Sequence, residues 1–427
     1  MDQDKDDNSF SLKALTPSLS SLWSPMSGGI TSPLGFEASG IQAGLKASGK
    51  PDLALLLAPE GSICAGTFTQ SSFRAACIDL SQKRLKDNCG KARAVLINSG
   101  QANACTGERG LIDSLRATEA IASRLGLKEE EVLICSTGII GEPIPMNILL
   151  KNIDPLVHEL SEFGGDKAAI AILTTDLIEK EIAFEAFLGE RRVRIGGMAK
   201  GSGMIHPNMA TMLGYLTCDA GVSEEIWNLM IQKVARKSFN AISVDGDTST
   251  NDSFLAFCAG DLLDTDYLQI LEIGLLKTAQ YLAKSIARDG EGANCLIEIK
   301  VEGAEDSSSA IQIARTICSS SLVKTAIHGK DPNWGRIIAA LGRSGIFFNI
   351  QDIYLWIGPY LLIQQGQPID FDREKVSKYI DQRFNGAYLT DDIVNIRLIV
   401  GQAQGEGTAW GCDLSADYIR INADYTT

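Results

Sequence analysis

Histidine is scarce in this chain. There are three in 427 residues, His158, His206 and His328, and none lies close to another. The ten cysteines are scattered and form no Cys-x-x-Cys pair. Together these absences make a zinc site improbable and predict that no metal is bound. Several cysteines fall in apolar runs, such as Leu133-Ile-Cys135 and Ala256-Phe-Cys258, and read as buried free thiols of a reducing compartment. A basic excess is also lacking. With 39 Lys and Arg against 53 Asp and Glu, the net charge is −14, which argues against nucleic acid or an anionic membrane as partner. An anionic small molecule is not excluded, because it needs only a local cation such as Lys200. No apolar run is long enough to span a bilayer. The N-terminus, with Asp2, Asp4, Asp6 and Asp7, has the character of neither a secretory signal nor an Arg-rich transit peptide, so a cytoplasmic protein is expected.

What is present is ample material for a core. The chain is 45% hydrophobic, enough for two or three domain-sized units. Residues 1–27 are polar, with Pro17 and Pro25, and are expected to form a mobile tail. Asp52-Leu-Ala-Leu-Leu-Leu57, Ala92–Ile97 and Glu131–Cys135 read as buried strands, and residues 110–125 as a helix. Ala169-Ile-Ala-Ile-Leu-Thr-Thr-Asp176 is expected to be a strand with hydroxyls at its end. Ser223 should cap a helix buried through Ile226, Leu229, Met230 and Val234, and another helix should run from about Asp266 to Arg288. The C-terminal residues Asp417–Thr427 alternate like an edge strand. Gly44-Leu-Lys-Ala-Ser-Gly-Lys50 has phosphate-loop spacing, but Pro51 stands where a metal-holding hydroxyl belongs, so no nucleotide site is expected.

The most informative stretch is Gly196-Gly-Met-Ala-Lys-Gly-Ser-Gly-Met-Ile-His-Pro-Asn-Met-Ala-Thr-Met-Leu-Gly214. Glycines and a Pro-Asn turn give an irregular loop, and Met212–Leu216 reads as a buried strand. Thr211 thus stands where a loop meets a rigid strand. Taken alone, such a threonine is most simply a β-branched residue in a sheet.

This stretch resembles the self-cleaving motif of the ornithine acetyltransferase family, also called the glutamate N-acetyltransferases of arginine biosynthesis. Ser136-Thr-Gly-Ile-Ile-Gly-Glu-Pro143, Ser238–Asp252, Arg288-Asp-Gly-Glu-Gly-Ala293, His328–Arg336 and the C-terminal tail are similar to further motifs of that family, in the same order across residues 28–427. The resemblance implies an α/β fold of two packed β-sheets flanked by helices, similar to the N-terminal-nucleophile hydrolases but differently connected. It implies autocatalytic scission between Ala210 and Thr211, giving an α chain, 28–210, and a β chain, 211–427, that stay together as a heterotetramer of two of each. Thr211 would be the nucleophile, its freed α-amine serving as base because that amine has a pKa of about 8. Thr137 and Gly138 would form the oxyanion hole. Thr174 (with Thr175 as the alternative), Lys200, Thr211, Glu291, Asn422 and Thr427 would bind substrate. The implied reaction moves acetyl from N-acetylornithine to glutamate, releasing ornithine and N-acetylglutamate, without a cofactor. Whether acetyl-CoA also serves as donor stays open. The same residues would also suit an amidase or aminopeptidase that gives the acyl group to water. A silent relative is the non-enzymatic reading, and intact Lys200, Thr211 and Glu291 speak against it. Ser238–Asp252 is expected to be a hydrogen-bonded loop near the site, and His328–Arg336 a structural and substrate-pocket loop. Gln101 and Asn294 stand where relatives usually carry Asn and Thr.

Overall fold

The computed structural model describes residues 19–206 and 212–424. Ala210, Thr211 and Thr427 lie outside the described residues. A four-stranded sheet runs in the order Glu37–Ile41, Leu53–Leu57, Ala94–Asn98, Val132–Ser136. A six-stranded sheet runs Ser24–Met26, Lys180–Leu188, Arg191–Lys200, Leu213–Cys218, Ser253–Cys258, Ile63–Phe68. These two sheets pack face to face. Ala54, Leu56, Val95, Ile97 and Leu133 of the first meet Met198, Leu213, Tyr215, Leu255 and Phe257 of the second in one apolar cluster. Alternate residues of the same strands, such as Leu53, Leu55, Ala94 and Leu96, face the helices Ala76–Asp87 and Gly107–Leu125 on the outside. Burial on both faces is why these strands read as continuous apolar runs. Helices Glu224–Arg236 and Leu268–Arg288 cover the outer face of the six-stranded sheet. The expected sandwich of two packed sheets flanked by helices is therefore present. A third, seven-stranded sheet adds to it, with its own core against Ser307–Cys318, Ser321–His328 and Trp334–Gly342.

Several local expectations are corrected. The tail does not extend to residue 27. Ser24–Met26 forms an edge strand on Lys180–Leu188, and Trp23 is buried, donating its indole N–H to Ile270 O at 2.9 Å. Gly274 makes room, since a Cβ there would stand 2.2 Å from the Trp23 ring. The run after Lys167 is not a strand: Gly165–Ala171 is a helix, followed by a loop. It seats on Glu37–Ile41 at Gly40, where a Cβ would come within 2.1 Å of Lys167 O. A short apolar run suits either element, and this contact decides it. The C-terminal residues Ala416–Asp424 are likewise helical. Ser415 Oγ begins that helix by accepting the Asp417 amide at 3.1 Å while donating to Gly292 O at 2.7 Å. On the helix Glu224–Arg236 the buried stripe is Trp227, Met230, Ile231 and Val234, whereas Ile226 and Leu229 are exposed. The Trp227 indole, hydrogen-bonded to Ala256 O at 2.9 Å, sets that rotation. Buried Asp52 fills the glycine loop at 44–50, accepting the amides of Ala43, Gly44, Leu45 and Lys46 that a phosphate would need. All ten cysteines are free, and eight of them are buried.

Candidate active site

The site is built where the two sheets meet. Strands Ala94–Asn98 and Val132–Ser136 are parallel and in register, so their C-terminal ends, Asn98 and Ser136, lie side by side. The loops leaving those ends form a crevice, the usual ligand-binding edge of an α/β sheet. In the other sheet Lys200 pairs with Leu213 across an antiparallel ladder. The two ends of the segment that joins these strands, Lys200 and Leu213, therefore lie side by side at one edge of the sheet.

Thr137, Gly138, Thr174, Lys200, Glu291 and Asn422 all line one narrow pocket of about 80 Å³, with Thr175, Ser249, Thr250 and Asn251. Residues spread over nearly 300 positions thus converge. Gly138 has φ +123°, and a Cβ would come within 2.3 Å of Gly100 O, so only glycine fits there. The Thr137 amide is donated to Asn98 O at 2.9 Å. Its hydroxyl faces the pocket and accepts from Lys200 Nζ at 3.5 Å. The Thr137 hydroxyl and the Gly138 amide, which is donated to no described residue, are thus left as hydrogen-bond donors at the pocket.

Lys200 is buried, not a solvated surface lysine, and lies 4.0 Å from Asp176. Burial pulls its ammonium below the usual lysine range, with Asp176 opposing. Asp176 accepts the amides of Thr174 at 3.0 Å and Gly201 at 2.6 Å, and pairs with Lys180 at 2.7 Å. Lys180 also pairs with Asp289 at 2.6 Å, and the main-chain carbonyl of Asp289 accepts from Ser202 Oγ. Burial works against ionising Asp176, but Lys180 and Lys200 outweigh it and hold the carboxyl well below its ordinary range. This enclosed network ties together the backbone of Thr174, the loop after Lys200 and the turn that carries Glu291. Sequence reasoning missed it. Its only signal was the Asp176–Lys180 pair, four residues apart, while Asp289 lies 109 positions further on.

Also lining the pocket, Glu291 accepts from Asn422 Nδ2 at 2.7 Å, and its amide is donated to Ser202 O at 3.1 Å. Gly203 permits the approach, since a Cβ there would stand 2.6 Å from the Glu291 carboxylate. The segment Ser238–Asp252 is the hydrogen-bonded loop expected. Asp245 accepts the amides of Met204 and Ile205, which holds Met204 at φ +58°. Asn251 donates to Ser136 O at 2.9 Å. Asp252 is fully buried and accepts the Met212 amide at 3.2 Å, and its second carboxylate oxygen has no partner among the described residues. Burial raises that carboxyl well above its ordinary value. Lys46 was also missed. Burial, opposed by Asp52, brings its pKa down to about 8, and it lines a neighbouring cavity of about 340 Å³ that shares Gly138 and Thr174.

Other expected residues lie elsewhere. His328 bonds Asp413 at 2.9 Å, and no residue of His328–Arg336 lines that pocket; Lys330, Asp331 and Pro332 line a separate cavity. Asn294 is also bound to Asp413, at 2.9 Å, and Gln101 donates to Leu45 O at 3.0 Å. Among the described residues no group of three or more His, Cys, Asp or Glu is placed to hold a metal, and no helix is long and apolar enough to cross a membrane.

A narrow pocket lined by a lysine, hydroxyl and amide groups and a glutamate suits a small charged substrate. The family relationship is specific. The ArgJ family model matches residues 37–427. The chain is 64% identical over 419 residues to the "Arginine biosynthesis bifunctional protein ArgJ" of Prochlorococcus marinus strain MIT 9313, covering 98% of each chain. To the protein of the same name from Synechocystis sp. it is 52% identical over 411 residues, covering 95% of this chain and 99% of that one. Among solved structures, the ornithine acetyltransferase of Mycobacterium tuberculosis in complex with ornithine is 40% identical, with a TM-score of 0.40, and spans 43% of this chain and 98% of its own. The chain belongs to the ArgJ family, and is an acetyltransferase of arginine biosynthesis.

Proposed function

We propose that this enzyme transfers acetyl from N-acetylornithine to glutamate through an acetyl ester on Thr211, after cutting itself between Ala210 and Thr211. In the cut, the Thr211 hydroxyl attacks the Ala210 carbonyl and water hydrolyses the resulting ester. Thr211 then begins the β chain, 211–427, and its α-amine takes the hydroxyl proton, since that amine titrates at about pH 8. In the first half-reaction Thr211 Oγ attacks the acetyl carbonyl of N-acetylornithine. The tetrahedral oxyanion is met by the Thr137 hydroxyl and the Gly138 amide, the C–N bond breaks, and the proton leaves on the ornithine amine. In the second, the glutamate amine attacks the ester, returns the proton and departs as N-acetylglutamate.

Lys200 is the counter-ion for the substrate carboxylate and Thr174 its hydrogen-bonding neighbour. Glu291 with Asn422, and Thr427 from the chain end, receive the substrate amine. The free oxygen of Asp252, whose other oxygen holds the Met212 amide, is suited to the new Thr211 ammonium. Acetyl transfer in this scheme needs no cofactor. The relatives are named bifunctional, which supports a second activity, and we take it to be N-acetylglutamate formation from acetyl-CoA. The α and β chains stay paired, two of each per assembly, in the cytoplasm.

The observation that carries this reading is the convergence of Thr137, Gly138, Thr174, Lys200, Glu291 and Asn422 on one pocket beside the strand pair that flanks the cut. The test is intact mass and N-terminal sequencing of the parent and of Thr211→Ala, with transfer assayed in parallel. The parent should give two chains, one starting at Thr211, and Thr211→Ala one uncut, inactive chain. Normal processing of Thr211→Ala would remove Thr211 as nucleophile.

A further inference from the structure

A second cavity, of about 570 Å³, shares no wall residue with the first. Three arginines from three helices reach it: Arg236 ends Glu224–Arg236, Arg315 lies within Ser307–Cys318, and Arg343 follows Trp334–Gly342. His206, Ser308, Gln312, Thr316 and Ser319 complete the polar wall, and among the described residues no Asp or Glu lines the cavity. In a chain of net charge −14 this is an unusual concentration of one sign. Other arginines of the fold have acidic partners, as Arg288 has Asp392 and Arg397 has Glu302. Among the described residues no carboxylate forms an ion pair with Arg236, Arg315 or Arg343. Arg343 gives one N–H to Thr316 O at 3.2 Å, which leaves most of its fork free.

Arg315 bears the cost most plainly. It is half-buried, and burial lowers its pKa with no carboxylate opposing. His206 beside it is pulled down by burial and by Arg315, against a weaker pull from Asp247, and its Nδ1 lies 3.2 Å from Ser243 Oγ. A partly desolvated guanidinium without a counter-ion is unfavourable unless an anion completes it. Guanidinium forks match phosphoryl oxygens two at a time, and three full charges exceed what a single carboxylate neutralises.

We propose that this cavity is a binding site for a small phosphoryl-bearing polyanion, held by Arg236, Arg315 and Arg343 and separate from the acetyl-transfer pocket. The probe is inorganic pyrophosphate, titrated calorimetrically into the full protein at low salt, with citrate as a carboxylate control. Pyrophosphate should bind saturably, one per chain, and more tightly than citrate. Arg315→Gln should weaken it roughly tenfold or more, the loss of at least one charge-assisted contact. Exposed Arg343→Gln should weaken it too, which keeps the test valid if Arg315→Gln folds poorly. Lys200→Met should leave it unchanged. Absence of saturable binding overturns the proposal, as does equal or tighter binding of citrate. So does binding lost in Lys200→Met but kept in both arginine variants, because the anion would then occupy the first pocket.

Discussion

Replacing Lys180 with methionine tests the enclosed network behind the pocket. The Lys180, Asp176 and Asp289 side chains are 0%, 0% and 4% exposed, and the ammonium bridges the two carboxylates at 2.7 and 2.6 Å. Methionine keeps most of the volume but leaves two acids facing each other without a cation between them. Breaking a buried pair from one side costs about 3–5 kcal/mol. Against a typical total of about 5–15 kcal/mol, that is a large share. We expect the thermal transition of Lys180→Met to fall by roughly 3–6 °C. Activity should fall further than stability alone explains. Asp176 fixes the Thr174 and Gly201 amides on either side of Lys200, and a 1 Å displacement there costs roughly 100-fold. The assay is ornithine release from N-acetylornithine and glutamate at a temperature where the variant stays folded. Adding Asp289→Asn removes one of the stranded charges and should recover part of the stability. The pH dependence has a definite sign. Asp176 titrates lower in the fold than its ordinary 3.8, so its contribution is complete above about pH 4 and drains away as pH falls. Asp289 shifts the other way, because burial outweighs Lys180 there, and it offsets part of that slope. Lys180→Met should flatten the acid dependence. A variant that melts within about 1 °C of the parent and transfers acetyl at the parental rate would refute the reasoning.

Thr137→Val should slow both self-cleavage and transfer by roughly 100-fold or more, since both pass through an oxyanion, and time courses of the two processes check this. Lys200→Met should raise KM for N-acetylornithine more than it lowers kcat. In the parent, burial holds Lys200 below its ordinary 10.5, so KM should climb on the alkaline side at a lower pH than a surface lysine would dictate, and the variant should lack that limb. Gly203→Ala pushes a methyl into the Glu291 carboxylate, the far end of a flexible side chain that can yield. KM should rise roughly tenfold, while the thermal transition stays near that of the parent. An unchanged KM would separate Glu291 from substrate binding.

The buried strands Leu53–Leu57, Ala94–Asn98 and Val132–Ser136 were legible in the sequence because apolar side chains cover both faces of each. The pocket residues were legible for a different reason. Thr137, Gly138, Lys200 and Glu291 sit in short motifs whose glycines and hydroxyls have local uses, and the resemblance carried their roles. Helix against strand at Gly165–Ala171 and Ala416–Asp424 could not be read, because neither segment has a decisive period. Contacts with distant residues, Gly40 for one and Gly292 for the other, set the outcome.

The chain's own order of residues determined which groups could do chemistry: one glycine-rich loop before a strand, a Thr-Gly turn, a lysine and a glutamate, and almost no histidine. Only the tertiary structure decided which charges are enclosed together. Lys180 meets Asp289 across 109 positions, and three arginines from separate helices share a cavity without an acid. Charge pairing depends on distance and burial in the folded molecule, and neither is a property of spacing along the chain.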